Sequence, residues 1–373
     1  MGLFHLKMAC ADAVWRLLIH PKDARLDPNS FMEHIGQIRP KETFKIEKKP
    51  GFRRMHEVIQ HVGIVSRLDI WRIEATKRSA AFTDIEEFAK SKPTFEDLCM
   101  MANLMAINYV ASDDLHDLQE KSSQHRDKEY ENSLIKQQYF LLYEEISHAM
   151  NFGDIGRVET CFLPWMLIFA GCGKHKYATE MRRYLENVHF LYPEGIRCIS
   201  MLHEYFIRIN IALCSRKAIR MNILCNPTGK KGHFRALDWV VEHNNLYIKR
   251  IYGGKYSNHQ KERIIAESPL IETYKNVRMQ FEHMFCLEHK TSRHSPPKME
   301  LTFKRLMQYM KDNNTNSFVP GRDSAYCIPD TMDKGIDIMR LREGQVESDL
   351  QLGGDDELGD EMEEVEDDGS LDV

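Results

Sequence analysis

A chain of 373 residues with 42% hydrophobic and 10% aromatic residues has ample material for a buried core, which excludes a wholly disordered protein. Its net charge of −5 divides unevenly: from Glu343 to Val373 there are 14 acidic residues and no Lys or Arg, leaving 51 bases against 42 acids, or +9, on residues 1–342. No apolar run reaches membrane-span length, the nine cysteines form no Cys-x-x-Cys pair, and no cleavage site follows the apolar N-terminus. A membrane partner, a zinc ribbon and secretion are therefore excluded, and reduced thiols in an intracellular protein, nuclear or cytoplasmic, are expected.

Helical periodicity dominates the pass along the chain. Leu3, Leu6, Ala9, Ala13, Leu17 and Leu18 make an apolar helix that stops at Pro21 and starts with no N-cap of its own. A Pro- and Lys-rich loop region follows. Arg53 to Lys77 reads as a long amphipathic helix, and Thr94 with Asp97 forms a capping box for the next, through Tyr109. Gln124 to Met150 carries Ile135, Tyr139, Leu142 and Ile146 on one face. Asp154 caps a helix broken by Pro164 and ended by Gly171. Helices are expected over His175 to Phe190, Phe234 to Tyr252, Asn258 to Glu288 with a kink at Pro269, and last Met299 to Lys311. No hairpin turn separates alternating runs. The fold class is all-α or α-dominated, α+β with a few short strands, as an irregular multi-helix bundle. An N-terminal helical region over 1–150, a C-terminal helical region over 151–337 and a disordered acidic tail over 338–373 are expected.

Few residue constellations carry chemistry. His56 and His61 lie five apart, about 140° around a helix, whereas one metal met from one helix face needs i and i+4. No metal site is expected. "GCGKHKY" and "PTGKKGHF" fail the phosphate-loop pattern, but Lys174, Lys176, Lys230, Lys231 and Arg235 near helix starts are candidates for nucleic-acid phosphates, beside the alternative of ordinary basic turns. Asp238 and Glu242, four apart, share a polar stripe with Asn245 and Lys249, opposite an apolar stripe of Leu237, Val240, Val241, Ile248 and Ile251. That polar stripe reads first as a solvent face, and alternatively as a pair of acids able to hold magnesium. Asp154 is accounted for as an N-cap, and His5 as a packed core histidine, with both kept as weak catalytic candidates.

The strings "GLFHLKMACADAVWRLLIH", "PGFRRMHEVIQHVGIVSRLDIWR", "GDIGRVE", "GKHKYATE", "YPEG", "NPTGKKGHFRALDWVVEHNNLYIKRIYGG", "SPLIE" and "FVPGR" together resemble domain of unknown function 6589, in order from Met1 to Asp337. The resemblance implies a fungal, transposon-derived protein of a family with no assigned activity, and by extension a transposase-like RNase H-type core. Relatives carry a G-D-x-L-T string upstream of a segment resembling Phe4-His5, so an N-terminally truncated copy is expected, with Asp154 and Glu242 as the carry-over acids. Residues 196–215 interrupt the family pattern and read as an extra helix or an unspliced intron.

Three functions compete on this footing. A helical remnant without catalytic activity, binding DNA weakly through its basic body, explains the charge division and needs no cofactor. A metal-dependent RNase H-like nuclease or transposase would require magnesium and a complete set of acids. A protein–protein interaction scaffold would use the acidic tail.

Overall fold

The computed structural model describes residues 2–48, 50–110, 114–191, 224–226, 229–239, 241–242, 245, 260–285 and 299–343. Of the tail expected over 338–373, residues up to Glu343 are helical, and the rest, with the interruption at 196–215, lies outside the described residues. The helices in chain order are α1 (Leu3–Leu18), α2 (Phe31–Ile38), α3 (Thr43–Lys48), α4 (Phe52–Arg78), α5 (Ile85–Lys90), α6 (Phe95–Tyr109), α7 (Asp114–Gln119), α8 (Lys128–Phe152), α9 (Ile155–Thr160), α10 (Phe162–Gly171) and α11 (His175–Glu186). Two short strands follow, β1 (Leu224–Cys225) and β2 (Arg235–Ala236), then α12 (Lys261–Glu267), α13 (Ile271–Met284), α14 (Glu300–Asp312) and α15 (Thr331–Glu343). The α-dominated multi-helix class with few strands is what the fold shows.

Local chemistry sets the boundaries. Thr94 Oγ1 accepts the Asp97 amide at 3.1 Å and opens α6 as its capping box requires. Asp127 accepts the Tyr130 amide at 3.0 Å, so α8 starts at Lys128 and not at Gln124. The break expected at Pro164 falls at Cys161 instead, which places Pro164 in the first turn of α10, where a missing N–H costs nothing. The helix expected from Phe234 opens only at Leu237, because Arg235 and Ala236 pair with Cys225 and Leu224 in an antiparallel ladder. The sequence reading found no hairpin there, since two-residue strands are too short to alternate. The Pro- and Lys-rich loop region holds α2 and α3, and α15 lies beyond the last expected helix.

The core gathers α1, α4, α8, α10 and α14 around Trp165, Tyr139, Phe140, Tyr143 and Phe169, all fully buried. Helices α10 and α15 press together at two glycines. A Cβ on Gly171 would sit 2.1 Å from the Thr331 carbonyl oxygen, and one on Gly335 2.0 Å from that of Leu167. The loop between α14 and α15 is tied down by polar groups. Arg322 forks onto Asp127 with two contacts of 2.8 Å, while Asn316 joins Ser66, Asp69 and Ser133 inside the protein.

Candidate functional site

Helix α1 enters with Gly2 as its N-cap and no side-chain cap, which leaves its first amides without a local acceptor. Asp238, 234 residues away in sequence, supplies one. Its carboxylate accepts the Phe4 amide at 3.0 and 2.9 Å and the His5 amide at 3.1 Å. A negative charge at the positive end of α1 adds a favourable field. Gly2 is required by this approach, since a Cβ there would lie 2.0 Å from Asp238 Oδ2.

The same two residues meet through their side chains. His5 Nδ1 lies 3.0 Å from Asp238 Oδ2, and His5 Nε2 lies 3.2 Å from Glu242 Oε1. The helical turn from Leu237 puts both acids on one face, as the i, i+4 spacing dictates, but that face meets α1 and not solvent. Asp238 is only 14% exposed, whereas Val241, assigned by pattern to the buried stripe, is 54% exposed. At Asp238 and Val241 the expected in–out assignment is therefore reversed, while Asn245 of the polar stripe is exposed as expected. The reason is α1: an uncapped helix end needs a carboxylate more than this surface needs apolar cover. His5, expected among core side chains, is instead a half-buried bridge between two acids.

The arrangement is a clamp in its chemistry. Two ring nitrogens facing two carboxylates are satisfied together only when both donate. Asp238 already receives three N–H donors, and a general base would need a ring nitrogen free of such a commitment. Among the described residues, no group of three or more His, Cys, Asp or Glu is placed to hold a metal ion. Asp154 stands apart from the clamp and accepts the Arg157 amide at 3.3 Å as the N-cap of α9.

The basic candidates separate by burial. Lys174, expected to meet a phosphate, is withdrawn from solvent: its side chain is 7% exposed, pairs with Asp12 of α1 at 2.7 Å and lies over the Tyr177 ring. Burial of its methylene stem demanded a fixed counter-ion, which Asp12 supplies. Lys176, Lys230 and Lys231 are exposed. Arg235, on β2, donates to its neighbour's carbonyl at Phe234 and meets no carboxylate among the described residues. Lys7 and His56 lie close enough to Arg235 to feel its charge, a grouping the sequence did not reveal. The only signal was a lysine set between Leu6 and Met8 in an otherwise apolar helix.

No curated protein and no solved structure matches this chain. The sequence model of a family of unknown function, DUF6589, matches residues 1–294, more than three quarters of the 373, and that span takes in α1, the clamp and both basic turns. The chain belongs to DUF6589.

Proposed function

We propose that this chain is a nucleic-acid-binding protein of fungal mobile-element descent, which holds the phosphate backbone by charge and performs no metal-dependent cleavage. The observation that carries the reading is the shared support of its two basic turns. Lys174 anchors the turn before α11 to Asp12, and Asp238 anchors the segment after Lys230 and Lys231 to Phe4 and His5. Both anchors are on α1, seven residues apart, about 10 Å along the helix axis. Exposed Lys176 and Lys231 lie on the two segments these anchors hold, and are the side chains the reading assigns to phosphates. The body's charge of +9 supplies the longer-range attraction.

The clamp bears on the nuclease alternative. Asp238 and Glu242 are side by side, the one feature favouring a catalytic pair, yet the Asp238 carboxylate is filled by α1 amides and His5. A divalent cation would have to displace those donors and uncap α1.

Titration of a fluorescent duplex and a single strand at increasing salt tests the reading. Affinity should fall log-linearly with salt, and Lys176→Glu with Lys231→Glu should flatten the slope by about two phosphate contacts. Absence of binding at low salt would leave the scaffold reading in its place. Magnesium-dependent cleavage lost in Glu242→Ala would show the enzyme.

A further inference from the structure

We propose that Lys136 is a nucleophilic amine on the floor of a small cavity and condenses there, reversibly, with the carbonyl carbon of a one- or two-carbon aldehyde. The cavity, of about 30 Å³, lies between the segment before α2, helix α8 and the segment leading into α15. Buried Asn29, Glu129 and Lys136 line its inner part, and half-buried Asp27, Asn132 and Tyr326 carry the lining toward the surface. That volume takes a water or two, or a molecule of about two or three heavy atoms. The outer part is fixed in place: Asn132 donates to the Tyr326 carbonyl at 2.6 Å and accepts the Ile328 amide at 2.8 Å, while Asp27 accepts the Ala325 amide at 3.0 Å. A large ligand would have to break these bonds to enter.

Asn29 gathers the two ionisable groups of the floor. Its backbone carbonyl accepts from Lys136 Nζ at 3.0 Å, and its side-chain amide donates to Glu129 Oε2. Lys136 is only 3% exposed, yet among the described residues no carboxylate comes within ion-pair distance of its Nζ and the Asn29 carbonyl is the one acceptor it meets. Burial without a paired counter-ion favours the uncharged amine and, against the pull of Glu129, pushes Lys136 down to about 7. Roughly half of it is then a free nucleophile at neutral pH, where an exposed lysine is almost wholly protonated. Attack joins Nζ to the carbonyl carbon, and one amine proton passes to the oxygen to give a carbinolamine. A proton from the Glu129 carboxyl, which opens on the same cavity, lets the hydroxyl leave as water, and an iminium and a Glu129 carboxylate remain. Burial above all holds the Glu129 carboxyl higher than the usual range, which suits a proton donor. The product keeps one positive charge beside Glu129 and Asp27 and one N–H for the Asn29 carbonyl. A carbamate would put a negative charge there and an amide would put none, so carbon dioxide and acyl donors fit this lining worse.

The site is separate from the exposed lysines that carry the backbone-binding reading, and its test needs no polynucleotide. The full-length protein is incubated at pH 7 with acetaldehyde and sodium cyanoborohydride, whose hydride reduces the iminium to a stable secondary amine. Ethylation is then located and timed by peptide mass spectrometry. Lys136 should be ethylated at least ~10-fold faster than exposed Lys176 and Lys231, whose amines are nearly all protonated at that pH. Unfolded chains cannot produce the preference, because in them Lys136 is an ordinary lysine. Benzaldehyde, too large for the cavity, should lose the preference. Glu129→Gln, which keeps the shape and removes the proton donor, should slow ethylation of Lys136 several-fold and leave the rates at Lys176 and Lys231 unchanged. The parent's own rates decide the matter if that variant fails to fold. Ethylation of Lys136 no faster than of the exposed lysines, or the same preference with benzaldehyde, would overturn the proposal and leave the cavity to ordered water. An unchanged rate in a folded Glu129→Gln would overturn the step assigned to Glu129.

Discussion

Helices α10 and α13 both carry large apolar side chains and meet opposite fates. In α10, Trp165, Ile168 and Phe169 are completely buried, and the helix lies between α1, α11 and α15. In α13, Tyr274, Val277, Phe281 and Met284 recur at spacings of three and four, a regular stripe, yet Phe281 is 59% exposed. The principal described neighbour of α13 is the turn Ser268–Leu270 that precedes it. An apolar stripe thus states what a helix can bury, while burial itself depends on a facing element that fits. Helix α10 has one because Gly171 and Gly335 let α15 approach backbone to backbone.

The widest separation between the two helices should come from truncating their largest side chains. Trp165→Ala removes a fully buried indole whose N–H reaches the Leu142 carbonyl at 3.4 Å, and should cost about 3–5 kcal/mol. Chemical denaturation should show the loss as a lower midpoint at unchanged slope. A cost under about 1 kcal/mol would mean the α10 core relaxes as readily as a surface.

Polar burial offers a second contrast with α13. Asp127 is fully buried, caps α8, and receives the Arg322 fork together with the Val319 amide at 2.6 Å. Asp127→Ala strands a half-buried guanidinium and should cost about 3 kcal/mol. Limited proteolysis within 313–326 should accelerate in step, since this contact holds the loop to the body. A variant that melts normally with the loop still protected would place the anchor in the Asn316 network instead.

The pH dependence of stability should be smaller and should come from the core side. Lys136 is buried with its ammonium on the Asn29 carbonyl at 3.0 Å, and burial pushes it down to about 7. Between pH 7 and its unfolded value near 10.5 the unfolded chain holds a proton that the folded chain has released, so stability rises with pH across that window. Lys7, pushed down to about 8, adds to the slope with the same sign. Half-buried His56 acts below neutrality: its ring stays uncharged in the fold, so stability falls as acid protonates the unfolded chain below about 6.5. Lys136→Met should flatten the alkaline rise by a few kcal/mol at most, read from melting curves at pH 7 and 10. An unchanged slope would assign the effect to Lys7 alone.

The sequence made the helical frame legible where a signal was local. Thr94 and Asp154 each accept an amide three residues ahead, and the α4 stripe of Val58, Val62, Val65 and Ile70 is buried as its period requires. What was not legible depended on distant partners. The polar stripe of Asp238 and Glu242 turned inward because an uncapped helix more than 200 residues away needed it. Lys174 left the surface for Asp12, and Lys7 came within range of the Arg235 charge from a different element. The order of the chain carries no trace of such pairings when only one sequence is read.

Phe281→Ala should produce the smallest effect, and its sign is informative. An exposed side chain with no core contact among the described residues has little transfer energy to lose, so the change in stability should stay within about 0.5 kcal/mol. Alanine also has the higher helix propensity, which offsets any residual contact. Paired with Trp165→Ala under identical conditions, the variant measures the difference between an apolar stripe and a buried one in the same molecule. A loss above about 1.5 kcal/mol would show that the α13 stripe is covered in solution. The two helices would then differ in which element buries them, and no longer in whether they are buried at all.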